Sequence, residues 1–355
     1  MRVQLKDIAS FSKGKQINGD DLVDGGQYVF LNGGINPSGK WNEYNVEGNS
    51  IAISEGGNSC GYVNYMSEPF WCGAHCYFLY DLKYDAKYTY YALKSQQDRI
   101  MQLRSGACMP NIKKNSLGEF SFLIEEDIAK QALVVASFDK VSELIVRRKE
   151  QLAKLDQLVK SRFIELFGDG HDGETQLKML GSICKFQQGT QIPVEEQFEE
   201  QISGYKRFLR IIDYTQAPQP PRYVNVNGKE VDEKSVVIVR YGATAGFVGR
   251  GYQGILANNL FEIMPDETIL SKDFLFLALK YGTFEEEVHT KAFGAAMPAL
   301  SFSMMNDIPV VVPVMEQQQQ FVSFVEQVDK SKLAIQQSLD KLELLKKSLM
   351  QEYFG

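Results

Sequence analysis

The chain of 355 residues carries one sequence pattern twice, in the same order, and this duplication limits the possible folds more than any other feature. Five blocks recur: Leu5–Ile17 as Leu180–Ile192, Ser50–Val63 as Ser235–Val248, Ala92–Lys94 as Ala278–Lys280, Gly106–Pro110 as Gly294–Pro298, and Phe167–Gly168 as Phe354–Gly355. The offset between matched residues drifts from 175 to 188 and settles at 187, so insertions are few and lie between the blocks. Such a repeat predicts two similarly folded units.

Each copy has a globular part followed by a helical part. We predict globular domains at residues 1–124 and 169–313, and long helices at residues 125–168 and 314–355. Short runs rich in β-branched and aromatic residues predict strands at Ile51–Ser54, Tyr77–Leu82, Phe120–Ile124, Val236–Val239, Phe261–Ile263 and Ile308–Val312. Apolar spacing predicts short helices at Tyr88–Lys94 and Asp273–Lys280, packed on the sheets.

The helical parts show apolar residues at alternating steps of three and four, without glycine or proline from Ile128 to Leu166. The predicted seam contains Val134, Phe138, Val141, Ile145, Leu152, Leu155, Val159 and Leu166 in the first helix, and Phe321, Val325, Val328, Ile335, Leu339, Leu342, Leu349 and Tyr353 in the second. Basic residues occupy the remaining seam positions: Arg148, Arg162, Lys332 and Lys346. This period is typical of a coiled coil about 58 Å long. The alternative is an amphipathic helix that lies on a globular domain.

Chain connectivity predicts how the helices pair. A glycine-rich turn at residues 168–173 ends the first helix and starts the second globular unit. A parallel pair would need a return connection that the sequence lacks. We therefore predict an α+β protein in which two similar α/β domains are joined by two long antiparallel helices, as a pseudo-twofold repeat.

Composition excludes several classes of protein. The 45 acidic and 38 basic residues give a net charge of -7, which argues against a uniformly basic nucleic-acid coat but allows a local basic face. No apolar run is long enough to span a bilayer, and the N-terminus does not resemble a secretory signal. Five cysteines, an odd number, favour free thiols in a reducing compartment. We therefore expect a cytoplasmic protein without membrane association.

The order globular unit, long helix, globular unit, long helix resembles the specificity subunit of type I restriction–modification enzymes, over essentially the whole chain. The opening pattern with Gly and Gln, the strand with its glycine turn, the Gly-Ala-x-Met-Pro block and the Phe-Gly helix ends carry this resemblance. It implies that each globular unit is a target recognition domain that reads one half of a bipartite site in double-stranded DNA. It also implies that the helices set the spacing between half-sites.

The same resemblance implies the partners and cofactor. The helices would bind two methyltransferase (modification) subunits and, where present, two motor-nuclease (restriction) subunits. S-adenosylmethionine is expected in the partner methyltransferase, and no cofactor is expected in this chain. The family subunit is itself non-catalytic, so we expect no catalytic residues here.

Residues that could contact DNA follow from readout chemistry, since Arg and Lys read guanine, Asn and Gln read adenine, and basic side chains bind phosphate. The candidates in the first domain are Asn32, Lys40, Trp41, Asn42, Asn58, His75, Arg104, Lys113 and Lys114. Those in the second domain are Arg210, Arg222, Tyr223, Arg240, Tyr241, Thr244, Asn258, Asn259 and Lys291. Recognition loops should diverge between copies, as Glu55–Asn58 and Arg240–Ala243 do. Ordinary solvated loop residues are the alternative for any single one.

Other kinds of site find little support in the sequence. The repeat aligns Ala245, Asn258, Asn259 and Ala296 with Cys60, His75, Cys76 and Cys108, so the fold does not require a metal, and we predict none. The glycine turns lack the Lys-Ser/Thr of a phosphate loop. The Asn/Asp-Pro-Pro-Tyr pattern of adenine methyltransferases is absent from the sequence, and Glu285–Glu287 are typical of a solvated helix face.

Two other classes of function stay open at this point. The first is a non-catalytic scaffold whose two domains bind proteins, which the acidic balance favours. The second is an enzyme with an unrecognised site. Because phosphate contacts dominate DNA affinity, the negative charge predicts weak DNA binding by the isolated chain and strong binding only with the modification subunits.

Overall fold

The computed structural model describes residues 1–106, 110–168, 176–216, 219–292 and 298–355. The chain forms two compact units: unit 1 comprises Met1–Lys149 and Gln337–Gly355, and unit 2 comprises Glu150–Gln336. The boundary between them falls inside both long helices, so each unit contains a globular part and one half of each helix. From the sequence we predict long helices that are separate from the globular domains. In the structure, apolar side chains of both helices belong to the hydrophobic cores of the two units.

Unit 1 contains three small sheets and the start of the first long helix. Its elements are β1 (Arg2–Gln4), β2 (Ser10–Lys13), β3 (Tyr28–Leu31), β4 (Gly39–Trp41), β5 (Ser50–Ser54), β6 (Val63–Met66), β7 (Phe70–Cys72), β8 (Cys76–Tyr80), α1 (Ala86–Ser95), α2 (Gln97–Met101), α3 (Lys114–Gly118), β9 (Ser121–Leu123) and α4 (Ile128–Phe167). The sheets have the orders β2-β8-β5-β6, β4-β3-β7 and β1-β9, and β3 and β7 run parallel.

Unit 2 repeats this arrangement. Its elements are β10 (Gln176–Met179), α5 (Leu180–Ile183), β11 (Cys184–Gln188), β12 (Lys206–Leu209), α6 (Ile211–Thr215), β13 (Arg222–Val224), β14 (Glu230–Val231), β15 (Val236–Val239), β16 (Val248–Gly249), β17 (Gly254–Leu256), β18 (Leu260–Pro265), α7 (Lys272–Tyr281), α8 (Phe284–Ala292), α9 (Phe302–Asn306), β19 (Pro309–Val312) and α10 (Met315–Phe354). The sheets have the orders β11-β18-β15-β16, β13-β12-β17-β14 and β10-β19. The strand order matches that of unit 1, with β14 added.

The strands and helices predicted from the sequence are present, with ends shifted by one or two residues. Their central strands, β5 and β15, are buried on both faces, as their continuous apolar runs require. The short helices begin at side-chain caps, since the amide of Tyr88 donates to Asp85 and the amide of Phe274 donates to Ser271.

The two long helices pack antiparallel within each unit. In unit 1, Phe138 stacks on Phe354 with 6.1 Å between ring centroids, and Lys149 Nζ lies 3.2 Å from Glu343 Oε1. Residue numbers thus increase along α4 in the direction in which they decrease along α10. In unit 2, Phe163 and Phe321 are in ring contact, and Asp156 pairs with Lys332. The predicted antiparallel pairing is confirmed.

Most predicted seam positions are buried or half-buried. The buried positions are Val134, Phe138, Val141, Ile145, Val159, Phe321, Val325, Val328 and Leu339, and the half-buried positions are Leu152, Leu155, Ile335, Leu342 and Leu349.

The strict seven-residue frame is wrong at the C-terminal end of both helices. Leu166 and Tyr353 are 42% and 41% exposed, whereas the next residues, Phe167 and Phe354, are each only 3% exposed. At these ends the helix packs on a globular part as well as on the other helix: Phe167 contacts Phe274 in α7, and Phe354 contacts Tyr88 in α1. A helix with 3.6 residues per turn drifts from a 3.5-residue seam unless supercoiling maintains the register. The alternative interpretation, an amphipathic helix lying on a globular domain, therefore describes part of the packing, and at these ends the globular part belongs to the other copy of the repeat.

None of the helices within the described ranges is both long enough and apolar enough to cross a membrane.

Candidate nucleic-acid interface

Each unit has a glycine turn after its central strand, which we call the first glycine turn (residues 55–61) and the second glycine turn (residues 240–246). In the first, the amide of Gly57 donates to Pro110 O at 3.0 Å and that of Gly61 to Ser54 O at 2.8 Å. In the second, Gly242 donates to Pro298 O at 3.0 Å and Gly246 to Val239 O at 2.9 Å. All four glycines have φ between 77° and 90°, a conformation that other residues rarely adopt. The two turns therefore have the same backbone.

The first residues of the two turns carry opposite charges. Glu55 accepts a hydrogen bond from Lys13 Nζ at 2.8 Å and lies 3.9 Å from His75 Nδ1. In its place Arg240 donates through Nε to Leu300 O at 3.2 Å, and its guanidinium lies 4.7 Å from the centre of the Tyr241 ring. A carboxylate accepts hydrogen bonds from a cytosine amino group, and a guanidinium donates to guanine. The same backbone thus carries side chains of opposite charge in the two units, with Glu55 buried and Arg240 half-buried.

The structure corrects one alignment made from the sequence. The amide of Glu55 donates to His75 O, and the amide of Arg240 donates to Asn259 O, so His75 corresponds to Asn259 rather than to Asn258. The strand registers agree, because Cys76 pairs with Ser54 and Leu260 pairs with Val239. Little identity marks this loop, so the sequence could not locate the change of offset.

In unit 1, several candidates lie beside the first glycine turn. Asn58 and His75 are exposed there, and the Asn32 side chain accepts from the amide of His75 at 3.3 Å. Arg104 is exposed nearby, where its positive charge opposes the rise that burial and Glu55 produce in the pKa of Cys60. Asn32 therefore holds the loop, and the side chains of the other three are exposed.

The remaining candidates of unit 1 lie on two other segments. Lys40 and Asn42 are exposed around the end of β4. Trp41 between them packs against Trp71 with 6.4 Å between ring centroids, and its Nε1 is buried without a hydrogen bond within the described part of the chain. Lys113 and Lys114 are exposed at the start of α3.

In unit 2, several candidates serve structural roles. Arg210 binds the fully buried carboxylate of Asp213 and caps α6. Arg222 pairs with Glu199 at 2.8 Å, and Lys291 pairs with Glu287 at 3.4 Å.

The remaining candidates of unit 2 include side chains that are hydrogen-bonded or buried and side chains that are exposed. Asn258 Nδ2 donates to Gln191 Oε1 at 3.3 Å, and Asn259 Oδ1 is buried without a hydrogen bond among the described residues. Tyr223 lies in β13, opposite Arg207. Tyr241 and Thr244 are exposed on the second glycine turn beside Arg240.

Sequence reasoning left two relevant residues out of the candidate list. Lys13 and Glu55 form the ion pair at the first glycine turn, and the position equivalent to Lys13 is Gln188, which donates to Asn258 O at 2.7 Å. The repeat itself could have pointed to Lys13, because Phe11 and Phe186 match across the repeat, whereas the residues two positions later differ.

Some of the sequence features fall outside the described residues. These are Ala107–Met109, residues 169–175 with His171, and residues 293–297, which include most of both Met-Pro blocks. Cys60, Cys72, Cys76 and Cys184 are free and buried.

Comparison with known proteins supplies the family. The family model for the type I restriction modification DNA specificity domain matches residues 1–155 and 173–345, one match for each copy of the repeat. A putative type I specificity subunit of Mycoplasma genitalium is 26% identical over 99% of this chain and 92% of its own length. One of Mycoplasma pneumoniae is 26% identical over 86% of this chain and 82% of its own length.

Solved structures share the fold. The S subunit of a type I restriction–modification system from M. genitalium superposes with a TM-score of 0.64 at 21% identity, covering 100% of this chain and 96% of its own. A chain from a structure of type I complex assembly and conformational transition gives 0.62 at 13% identity, covering 99% and 96%. Both family matches cover a globular part with its glycine turn. The chain therefore belongs to the family of type I restriction–modification DNA specificity subunits.

Proposed function

We propose that this chain is the DNA-specificity subunit of a type I restriction–modification complex and reads a bipartite site, one half-site with each unit. The observation that carries the proposal is the pair of glycine turns, which share one backbone and differ in their exposed side chains, Asn58 in one unit and Tyr241 and Thr244 in the other. A duplicated scaffold with different side chains suits the reading of two different half-sites. The exposed residues Asn58, His75 and Arg104 in unit 1 and Tyr241 and Thr244 in unit 2, together with the half-buried Arg240, are the proposed DNA contacts.

The partners follow from charge and exposed surface. A chain with net charge -7 lacks the overall positive charge with which a basic protein holds DNA through phosphate contacts, so the modification subunits would provide the clamp. Both long helices expose large apolar side chains, including Leu133 and Val146 on α4 and Leu333 and Leu344 on α10. Exposed apolar surface of this kind is typical of a partner interface. We assign it to two methyltransferase subunits, with the restriction subunits joining where the system has them.

This chain would contribute recognition and no chemistry. The methyl donor, S-adenosylmethionine, would be bound by the partner methyltransferase. The isolated chain is accordingly expected to transfer no methyl group, and methylation should require the modification subunit together with this chain.

Genome methylation mapping tests the proposal. Cells that express the modification subunit should show one bipartite adenine-methylation motif with this chain present and none without it. Methylation of the same motif in both cases would refute the proposal. A pull-down that recovers unrelated proteins and no methyltransferase would instead favour the protein-binding scaffold.

Helix length is proposed to set the unread spacer between the half-sites, because the boundary between the units lies within both helices. One heptad inserted into each helix at that boundary should change the spacer and leave both half-site sequences intact. Altered half-site letters with the original spacer would contradict this role.

A further inference from the structure

Unit 2 contains a cleft of about 880 Å³ beside the second glycine turn, which we call the aromatic cleft. Phe247, Tyr252 and Phe276 line it, together with Thr244, Arg250 and Lys280. Its volume is within the range of roughly 300–1,000 Å³ that is usual for small-ligand sites. The cleft thus combines ring faces with cationic groups.

The two cations of the cleft differ in their partners. Arg250 Nη1 lies 3.0 Å from Asp273 Oδ1, and its guanidinium lies 4.2 Å from the centre of the Phe276 ring, so its charge is already compensated. Lys280 Nζ lies near the rings of Tyr281 and Phe276, at 5.3 and 5.7 Å, and makes no hydrogen bond or ion pair within the described residues. Its ammonium is therefore the cation of the cleft without a compensating partner among the described residues, and the exposed carboxylate of Glu285 also lines the cleft.

Unit 1 provides an internal comparison, because Lys94 corresponds to Lys280 and Tyr62 to Phe247. Lys94 Nζ lies 3.5 Å from the centre of the Tyr62 ring and donates to Val63 O at 3.0 Å and to Gln97 Oε1 at 2.9 Å. The lysine of unit 1 is thus satisfied by its own chain, whereas its counterpart in unit 2 is not.

Two further properties point to a ligand. Tyr214 lines the cleft, and its hydroxyl is buried without a hydrogen-bond partner in the described part of the chain. Burial lowers the pKa of Lys280, and the positive charges of Lys332 and Arg250 act in the same direction, against Asp329 and Asp156. Burial lowers the pKa of Lys94 as well, so what distinguishes Lys280 is its lack of a hydrogen-bond partner within the described residues, which an anionic group bound beside it would supply.

We propose that the aromatic cleft of unit 2 binds a nucleotide, with its base against the rings of Phe247, Tyr252 and Phe276 and its phosphate on Lys280. A base stacks favourably on the face of an aromatic side chain, and a lysine binds phosphate as a point charge. An apolar ligand would leave Lys280 unpaired, and an aliphatic anion would leave the rings unused. The nucleotide is either a free mononucleotide or one nucleotide of bound DNA that has left the stack.

Calorimetric titration of the full chain with nucleoside 5′-monophosphates, and with the matching nucleosides, tests the proposal. We expect saturable binding of at least one monophosphate. The nucleoside should bind about tenfold more weakly, because it lacks the phosphate that would contact Lys280. A tenfold change in affinity corresponds to about 1.4 kcal/mol, which is less than a good charge-assisted contact contributes. Lys280→Met should weaken binding by a similar factor, as should Phe247→Ala. Lys94→Met is the matched control in unit 1 and should leave the affinity unchanged.

Oligonucleotides distinguish the two sources of the nucleotide. If the monophosphates do not bind, duplexes with 2-aminopurine at single positions of the mapped motif should show a fluorescence increase that Lys280→Met abolishes, which identifies a nucleotide of the DNA. Absence of both signals, or binding that is equal in the wild type and Lys280→Met, would overturn the proposal. Methylation mapping tests the proposed function separately. If the chain directs methylation to a bipartite motif but shows no nucleotide binding that depends on Lys280, the proposed function stands and only the proposal for the aromatic cleft is rejected.

Discussion

The ring of Phe163 in α4 meets the ring of Phe321 in α10 edge-on, with 5.5 Å between their centroids, and both rings also contact Phe274 in α7. One aromatic cluster thus joins both long helices to the globular part of unit 2. In unit 1, Phe138, Phe354 and Tyr91 form a similar cluster. The long helices are therefore integral to the cores of the units.

Phe163→Ala should destabilise unit 2 by about 3–5 kcal/mol, the usual cost of removing a fully buried ring. Leu166→Ala, in the same turn but exposed, should cost less than about 1 kcal/mol. Hydrogen exchange of α7 peptides measures the loss in unit 2. Fluorescence of Trp41 and Trp71, both in unit 1, supplies an internal control. Equal destabilisation of unit 2 by the two substitutions would instead support the strict seven-residue frame.

Gln318→Met should destabilise unit 2 by at least about 2 kcal/mol, because it leaves several buried polar groups unpaired. Gln318 is fully buried in α10, where it donates to Ile269 O at 2.8 Å and Pro313 O at 2.9 Å and accepts from Ser271 N at 3.0 Å. Urea unfolding followed by circular dichroism measures the change. The neighbouring Gln319 is exposed, so Gln319→Met is the control. If Gln319→Met destabilised unit 2 as much as Gln318→Met does, the lost hydrogen bonds would not be the cause.

Gln131, at the equivalent position of α4, is also buried and donates to Glu125 O at 2.6 Å. Gln131→Met should therefore destabilise unit 1 instead, and tryptophan fluorescence should report its unfolding at a lower urea concentration. An unchanged fluorescence transition would show that this buried amide contributes little.

Arg240→Ala and Arg104→Ala should each relax one half of the methylation motif, and each a different half. A good bidentate contact to a base discriminates by about 1–3 kcal/mol, so preference at the affected position should fall by roughly tenfold or more. Methylation mapping of the two variants, expressed separately with the modification subunit, measures this. Both variants altering the same half-site, or neither altering any, would contradict the assignment of one unit to each half.

DNA affinity should depend strongly on the partner subunit. The chain alone, with net charge -7, is expected to bind a duplex with a Kd of about a micromolar or weaker at physiological salt, which is typical of non-specific binding. Addition of the modification subunit should produce tight, motif-dependent binding in fluorescence anisotropy. Nanomolar specific binding by the isolated chain would contradict the charge argument.

The stability of unit 1 should rise with pH above about 8 through Lys94. Burial lowers the pKa of Lys94 to about 8, and Lys346 acts in the same direction, whereas an unfolded lysine titrates near 10.4. Between these values the unfolded chain binds more protons than the folded one, so raising the pH favours folding. Burial also raises the pKa of the Cys60 and Cys76 thiols, which lowers the stability of unit 1 above about pH 8.5, so the contribution of Lys94 is measured as a difference between variants. Between about pH 7.5 and 9.5, the urea midpoint from tryptophan fluorescence should change more favourably in the wild type than in Lys94→Met, and an identical change in both would exclude a contribution from Lys94.

Sequence alone determined the repeat, the strands and helices within it, and the antiparallel pairing of the long helices. These follow from local periodicity and chain connectivity, which are readable along one dimension. The residues that pack the helix ends were missed because burial at Phe167 and Phe354 depends on α7 and α1, distant in the sequence.

Tertiary structure alone decided which polar residues are available. Arg210 and Asn32 looked equivalent to Arg104 and Asn58 in the sequence, yet the side chains of the first pair are held by an ion pair and a hydrogen bond within the chain, whereas those of the second pair are exposed. The aromatic cleft likewise depends on rings from three separate segments. Residue type specifies what a side chain can bind, but its partners in space determine whether that capacity is already used.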